Sequence, residues 1–189
     1  MGLDLEQMLM DSGALLEGHF LLTSGRHSDR YIEKFRLLER PAALDASARA
    51  MAAGIDPDDV DVVLGAAIGG ILIAGAVARI LDRRTMFTER VDGKMTLRRG
   101  FELHAGDRVL LVEDIVSTGG SLTELLEVVR TAGASIERVA CLVDRTIDGL
   151  SIDAPTKILH RLPIASWVPE ECPLCTQQIP LTKRGRSGK

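Results

Sequence analysis

From residue 60 onward, short β-branched apolar segments alternate with segments of helical length and composition. Strands are predicted over 60–64, 85–89, 95–103, 108–112 and 136–143, and helices over 71–81 and 121–131. Short apolar strands that alternate with helices indicate βαβ units. The chain is therefore expected to be an α/β protein with a central, mostly parallel sheet flanked by helices.

The segment before residue 60 has a different pattern. Asp4 and Gln7 have the spacing of a helix N-cap, so a first short helix is predicted to end near Ser12. Segments 20–22 and 31–38 are predicted to be extended, and 41–53 to be a helix. With 189 residues and no linker or repeat, residues 1–189 are expected to form a single domain.

Composition and charge exclude several classes of function. The net charge is −4 and only 3% of residues are aromatic, so neither a basic surface nor a stacking platform for nucleic acid is expected. The apolar stretch 62–78 is interrupted by four glycines, and the acidic N-terminus does not resemble a signal peptide. We therefore expect no nucleic-acid or membrane partner and a cytoplasmic location.

The most informative segment follows the clearest strand. There, Glu113 and Asp114 precede a small, hydroxyl-rich loop with Gly119 and Gly120, and this loop opens a helix. Amides at a helix start and flexible glycines suit a phosphate, whereas carboxylates suit ribose hydroxyls. We expect both carboxylates to lie just beyond the strand, where they can reach one ligand. A capped strand-to-helix turn with solvated acids is the alternative.

Segment 111–121, Leu-Val-Glu-Asp-Ile-Val-Ser-Thr-Gly-Gly-Ser, resembles the phosphoribosyl pyrophosphate (PRPP) motif of type I phosphoribosyltransferases. Segments 20–28, 87–100 and 143–145 narrow the resemblance to the orotate phosphoribosyltransferase family. The resemblance implies a type I phosphoribosyltransferase fold with a small N-terminal hood formed by 1–40 and 155–180. A flexible tail is expected over 182–189.

The resemblance also implies Mg²⁺-dependent transfer of phosphoribosyl from PRPP to orotate, which gives orotidine 5'-monophosphate and pyrophosphate in pyrimidine (UMP) biosynthesis. Mg²⁺ would be held mainly through PRPP, with no dedicated protein ligands. Asp114, Arg90 and Lys94 would be catalytic, and Ser117 and Arg145 would bind orotate. The PRPP-binding residues would be Arg90, Glu113, Asp114, Ile115, Val116, Ser117, Thr118, Gly119, Gly120 and Ser121, and the pyrophosphate loop Ala66, Ala67, Ile68, Gly69 and Gly70.

Four cationic residues lie around the Asp92-Gly93 turn: Arg90, Lys94, Arg98 and Arg99. This segment resembles the family's mobile loop, which closes over the neighbouring subunit's site. A homodimer with shared active sites is therefore implied, with Arg90 as the best match to that loop. Arg98 and Arg99 are alternatively solvated strand residues. Arg145 is alternatively a surface ion pair with Asp144 or Asp148.

The sequence departs from the family at two positions. Thr23 and Gly69 stand where many members carry lysine, so the pyrophosphate contacts are expected to be fewer or supplied differently. Transfer to a purine or another base therefore stays open, as does a PRPP-sensing regulator of the same fold.

Cys172 and Cys175 have the spacing of a metal-binding knuckle, but no second cysteine pair follows or precedes them. Free thiols in a capped turn are expected. A zinc ion shared across a dimer, or one bound with His160, is the alternative. Cys141 lies in an apolar run and is expected to be a buried thiol.

Overall fold

The computed structural model describes residues 3–184, which form two β-sheets and six α-helices. The helices are α1 (Leu5–Asp11), α2 (Phe35–Leu38), α3 (Pro41–Ala52), α4 (Gly69–Leu81), α5 (Gly120–Thr131) and α6 (Pro173–Thr176). The strands are β1 (Leu15–Leu21), β2 (His27–Ile32), β3 (Val62–Ala66), β4 (Arg84–Val91), β5 (Lys94–Leu97), β6 (Arg108–Val116), β7 (Ser135–Asp144), β8 (Thr156–Arg161) and β9 (Thr182–Lys183).

The larger sheet has six strands in the order β5-β4-β3-β6-β7-β8. All neighbours are parallel except β4 and β5, which form an antiparallel hairpin at one edge. The α/β class with a mostly parallel sheet is confirmed. In such a sheet the carboxyl ends of the parallel strands lie at one edge, where ligands bind.

Alternate residues of the central strands supply two apolar layers. On β6, Leu110 and Val112 pack with α3 and α4, whereas Val109 and Leu111 pack with α5. All four side chains are fully buried. The alternation continues along β6, so the next two residues, Glu113 and Asp114, approach opposite faces of the sheet.

The smaller sheet has three strands in the order β2-β1-β9. It joins the two ends of the described chain, because β9 pairs in parallel with β1 at Phe20 and Leu21. Two expectations differ from this arrangement. β8 belongs to the larger sheet rather than to the hood range 155–180, and Thr182–Lys183 is a strand rather than part of a flexible tail. Residues 185–189 of that predicted tail lie outside the described residues.

The predicted helices over 41–53, 71–81 and 121–131 are confirmed to within two residues, and so is the cap of α1 by Asp4. The predictions of two extended segments were wrong in part. Residues 35–38 form α2, and the strand predicted over 95–103 ends at Leu97. None of the helices within residues 3–184 has the length and hydropathy that crossing a bilayer requires.

Candidate active site

A pocket of about 950 Å³ opens at the carboxyl ends of β3 and β6 and is also lined by the smaller sheet. Its volume is in the range of cavities that hold small-molecule ligands. It brings together three predicted groups: the acidic pair, the first residues of the pyrophosphate loop, and Arg90. The lining residues are Thr23, Tyr31, Ile32, Glu33, Lys34, Phe35, Ala66, Ala67, Ile68, Gly69, Arg90, Met95, Glu113, Asp114, Ile115, Ser121, Thr182, Lys183 and Arg184.

The acidic pair lies inside β6, not beyond its end as the sequence predicted. β6 pairs with β3 only as far as Val112, but it continues beside β7 to Val116. Glu113 and Asp114 therefore occupy the stretch where one neighbouring strand has already ended. This one-sided stretch lets both carboxylates line the pocket although successive residues of a strand face opposite ways.

Glu113 is buried, and its surroundings disfavour the charged form of its carboxyl group. Burial raises its pKa well above the ordinary value of 4.5, and the adjacent carboxylate of Asp114 raises it further. Lys34 opposes these effects only in part. Among the described residues, Glu113 Oε2 has no hydrogen-bond partner. A buried acceptor that lines a cavity without a partner is suited to a ligand hydroxyl.

Asp114 forms an ion pair with Lys34, with 2.6 Å between Oδ2 and Nζ. The pair lies directly over Gly69, the first residue of α4. A Cβ atom at Gly69 would be 1.5 Å from Asp114 Oδ2 and 2.6 Å from Lys34 Cε. Glycine at position 69 is therefore required by the ion pair. Lys34 places its ammonium in the space that a side chain at position 69 would fill.

The loop after β6 turns sharply into α5. Gly119 has φ +82°, a left-handed conformation that favours glycine, and Gly120 begins the helix. The first amides of a helix have no partner within it and face an incoming anion. Ile115 and Ser121 line the pocket, whereas Val116, Ser117, Thr118, Gly119 and Gly120 lie outside the lining. Ser117, Thr118 and Gly120 are exposed, so the loop is open to a ligand.

The predicted pyrophosphate loop connects β3 to α4. Ala66, Ala67, Ile68 and Gly69 line the pocket, but Gly70 does not. Gly70 packs under Gly65 instead, where a side chain on Gly65 would be 2.7 Å from the Gly70 carbonyl oxygen. The loop therefore approaches the pocket with backbone, the small side chains of Ala66 and Ala67, and the exposed side chain of Ile68.

Arg145 follows β7 and lies outside the pocket lining. Within residues 3–184 it forms no ion pair, since the buried carboxylate of Asp144 is engaged by Arg161 and Thr146. Burial lowers the pKa of Arg145. Arg145 also acts electrostatically on Tyr31, which lines the pocket. Burial and Glu33 raise the pKa of Tyr31, whereas the positive charges of Lys34, Arg184 and Arg145 lower it. Among residues 3–184, the Arg145 guanidinium is therefore partly buried, lies near the pocket and has no carboxylate partner.

The cationic segment 90–99 forms the β4–β5 hairpin around Asp92 and Gly93. Both turn residues have positive φ, as a two-residue type I′ turn requires. Arg90 lines the pocket of its own chain and donates to Gly93 O and to Glu124 Oε1. That Arg90 serves a neighbouring subunit stays a prediction. Lys94 is exposed, begins β5 and does not line the pocket. Arg99 pairs with Glu89 through two hydrogen bonds.

Sequence reasoning missed several lining residues. Lys34, Tyr31 and Glu33 lie in the segment that was predicted to be a featureless extended run. The sequence signal that points to Lys34 is its position close to the polar segment 23–30. Lys183 and Arg184 were assigned to the tail, and their contribution depends on the pairing of β9 with β1.

The donor set fits Mg²⁺ that is held mainly by a bound pyrophosphate. Glu113 and Asp114 offer carboxylate oxygens, the hard ligands that Mg²⁺ takes. The orphaned Glu113 Oε2 faces the pocket without a protein partner among the described residues. Lys34 neutralises part of the negative charge, so the pair is not a dedicated cage.

Comparison with known proteins agrees with the geometry. Residues 36–174 match the model of the phosphoribosyl transferase domain family. The orotate phosphoribosyltransferase of Pelotomaculum thermopropionicum is 44% identical over 174 residues, with 92% of each chain covered. That of Thermotoga maritima is 41% identical over 184 residues, with 97% of this chain and 98% of the relative covered. The chain belongs to the orotate phosphoribosyltransferase family.

Solved structures show the same fold. The orotate phosphoribosyltransferase from Aeropyrum pernix superposes with a TM-score of 0.70 at 27% identity, covering 84% of this chain and 93% of that one. An adenine phosphoribosyltransferase from Rhodothermus marinus reaches a TM-score of 0.63 at 18% identity, covering 83% and 99%. At that low identity the second likeness concerns the type I phosphoribosyltransferase fold alone.

Proposed function

We propose that this chain is an orotate phosphoribosyltransferase that uses the pocket at the carboxyl ends of β3 and β6. It transfers the phosphoribosyl group of PRPP to orotate and releases pyrophosphate, a step of pyrimidine biosynthesis. The observation that carries the proposal is the acidic pair: two adjacent buried carboxylates line a pocket beside a glycine-containing helix start. We further propose a cytoplasmic enzyme that acts as a homodimer.

The acidic pair binds the ribose of PRPP. Its hydroxyls donate to Glu113 Oε2, which lacks a partner in the described chain, and to Asp114. The 5'-phosphate lies on the loop from Ile115 to Ser121, where the amides at the start of α5 donate to it. Binding these groups fixes the anomeric carbon relative to the rest of the pocket.

The pyrophosphate extends over the loop from Ala66 to Gly70, within reach of cationic side chains. Arg90 and Lys34 both line the pocket, and Lys34 lies where Gly69 leaves space. As the bond to the anomeric carbon breaks, negative charge grows on pyrophosphate, and fixed cations stabilise that charge. Mg²⁺, when bound with PRPP, supplies additional positive charge to the same oxygens.

Arg145 selects the base. A partly buried guanidinium without a carboxylate partner in the described residues is suited to the carboxylate of orotate, to which it can donate two parallel hydrogen bonds. Neither uracil nor a purine carries that carboxylate. Arg145 therefore supports orotate over the other bases, even though Thr23 and Gly69 replace the usual lysines.

A panel of bases tests this function. Orotate, uracil, adenine, guanine and hypoxanthine are each incubated with PRPP, Mg²⁺ and the enzyme, and pyrophosphate release is followed. We expect turnover with orotate only, and its loss in Asp114→Asn. Asp153→Asn is the matched control, because the Asp153 side chain is almost fully exposed and far from the pocket in the fold. Turnover with a purine and none with orotate would refute the proposal.

A further inference from the structure

A second group of chemically active side chains lies in the smaller sheet, outside the phosphoribosyl site. His19 is on β1, His27 begins β2, and Cys172 and Cys175 flank the start of α6. One ligand atom from each of the four lies within 4.8 Å of the other three. His19, His27 and Cys172 are 3%, 5% and 1% exposed. Buried polar groups need partners. Among the described residues, His19 contacts His27, both cysteines and the Ile179 carbonyl oxygen, and His27 also contacts Cys175, whose side chain is exposed.

Four of the six separations are close to the edges of a tetrahedral metal site. His19 Nε2 is 2.9 Å from His27 Nδ1, 3.5 Å from Cys172 Sγ and 3.7 Å from Cys175 Sγ, and His27 Nδ1 is 3.3 Å from Cys175 Sγ. With zinc–nitrogen and zinc–sulfur bonds of about 2.05 and 2.3 Å, a regular tetrahedron has N···N edges of about 3.3 Å and N···S edges of about 3.5 Å. All six separations stay within 4.8 Å, so small shifts bring the four atoms to the distances of one zinc site.

The surroundings orient one ligand as metal sites do. His19 Nδ1 is 2.7 Å from the carbonyl oxygen of Ile179, which can only accept, so Nδ1 carries the proton and donates it. The lone pair of Nε2 is thereby directed at the cluster. A histidine that donates its second ring nitrogen to a backbone carbonyl is the usual arrangement around a bound metal.

We propose that His19, His27, Cys172 and Cys175 bind one structural zinc ion. Two thiolates and two neutral imidazoles balance the charge of Zn²⁺, so the complex can be buried without a net charge. The soft sulfur and imidazole donors disfavour Mg²⁺ and Ca²⁺. A Rieske [2Fe–2S] cluster also takes two cysteines and two histidines, but its histidines and its cysteines bind different irons. Here His19 Nε2 is 3.5 and 3.7 Å from the two sulfurs, which suits a single ion.

The ion has four protein ligands and no open position, which makes its role structural. It ties the β1–β2 hairpin to the C-terminal segment that begins at Cys172. Directly after this segment, β9 pairs with Phe20 and Leu21, next to His19. Residues 182–184 then line the phosphoribosyl pocket. Zinc therefore holds the strand that completes the wall of the active site.

Metal content tests the site without any use of activity. The full chain, purified under reducing conditions and passed through a desalting column after incubation with zinc, is expected to carry about one zinc ion per chain. Titration of its thiols with a mercurial should release that zinc. Loss of zinc is expected in Cys175→Ser and in His27→Gln, whereas Cys141→Ala and His104→Ala, which change residues outside the cluster, should retain it. Cobalt substitution should give the visible absorption of a tetrahedral S₂N₂ site.

The outcomes separate the possibilities. Wild-type chain that retains no stoichiometric zinc, or zinc that persists in Cys175→Ser, would overturn the proposal. So would a Cys172–Cys175 disulfide in protein kept reduced throughout. The wild-type thiol titration needs no variant, so a variant that fails to fold leaves the test intact. Amide hydrogen exchange with and without a zinc-selective chelator tests the structural role. Removal of zinc should raise exchange in 15–32 and 172–184, and unchanged exchange in these segments would contradict that role.

Discussion

At the scale of single residues, the site depends on a glycine that leaves space. Gly69 carries no side chain, and Asp114 and Lys34 meet in the volume that a Cβ would fill. Lys34, from the segment before α2, thus places a cation beside the start of α4. The linear motif does not reveal this cation, because only the fold brings residue 34 to residue 69.

Gly69→Ala tests this arrangement. The new methyl group would be 1.5 Å from Asp114 Oδ2, so the ion pair with Lys34 must separate. We expect the PRPP dissociation constant, measured by calorimetry, to rise about tenfold or more through loss of charged hydrogen bonds. Gly75→Ala is the matched control on the same helix, because a Cβ there meets no atom within 4 Å. It should raise stability by about 0.4–1 kcal/mol and leave PRPP binding unchanged.

The raised pKa of Glu113 makes the stability of the folded chain depend on pH. Because burial and Asp114 raise its pKa in the folded chain, the folded state holds a proton that the unfolded state has lost once the pH exceeds 4.5. Stability from this group is thus complete below pH 4.5 and decreases as the pH rises toward the folded-state pKa. Glu113→Gln should raise Tm at pH 8, with a gain that shrinks toward pH 4.5. A constant gain at every pH would contradict this cause.

Arg145→Ala should raise the KM for orotate and spare PRPP affinity, because its proposed partner is the carboxylate of the base. Losing a paired, charged contact costs about 1.5–3 kcal/mol, or roughly tenfold to a hundredfold in KM. Arg145→Lys should rescue little, because a point charge does not reproduce the two parallel donors. Arg130→Ala, which removes an exposed pair with Asp153, is the control. Equal losses toward both substrates would mean that Arg145 supports the fold.

At the scale of elements, the sequence predicts those strands and helices whose formation depends on neighbouring residues in the chain. The strands and helices after residue 60 follow from apolar periodicity, and the acidic pair follows from its position after a buried run. The continuation of β6 to Val116 does not, because it depends on pairing with β7, a segment that follows later in the chain. That pairing decides whether the carboxylates sit in a strand or beyond it.

Two further elements could not be read from the sequence for the same reason. Residues 35–38 form a helix although 31–38 was predicted to be extended, since Leu37 and Leu38 are buried in the layer that contains α3 and α4. The Cys172–Cys175 pair gains His19 and His27 only through the fold, across about 150 positions. Spacing rules apply to ligands on one element, and these ligands lie on three.

At the scale of the whole molecule, two cations near the turn of the β4–β5 hairpin differ in what they can reach. Arg90 lines the pocket of its own chain, where Glu124 also holds it. Lys94 is exposed near the turn and lies outside that pocket. If the proposed homodimer shares its sites, we therefore expect Lys94 to reach the neighbouring subunit and Arg90 to serve its own.

Mixing of inactive variants distinguishes these two roles. If Lys94 acts in the partner's site, a hybrid of Lys94→Ala and Asp114→Asn chains has one site with both lesions and one intact site. With random exchange, half of the dimers are hybrids, so co-refolding equal amounts should restore about a quarter of wild-type turnover. Arg90→Ala mixed with Asp114→Asn should restore none, because each lesion stays in its own chain's site. Differential tags verify hybrid formation in both mixtures, and recovery in the Arg90 mixture but not in the Lys94 mixture would reverse the assignment.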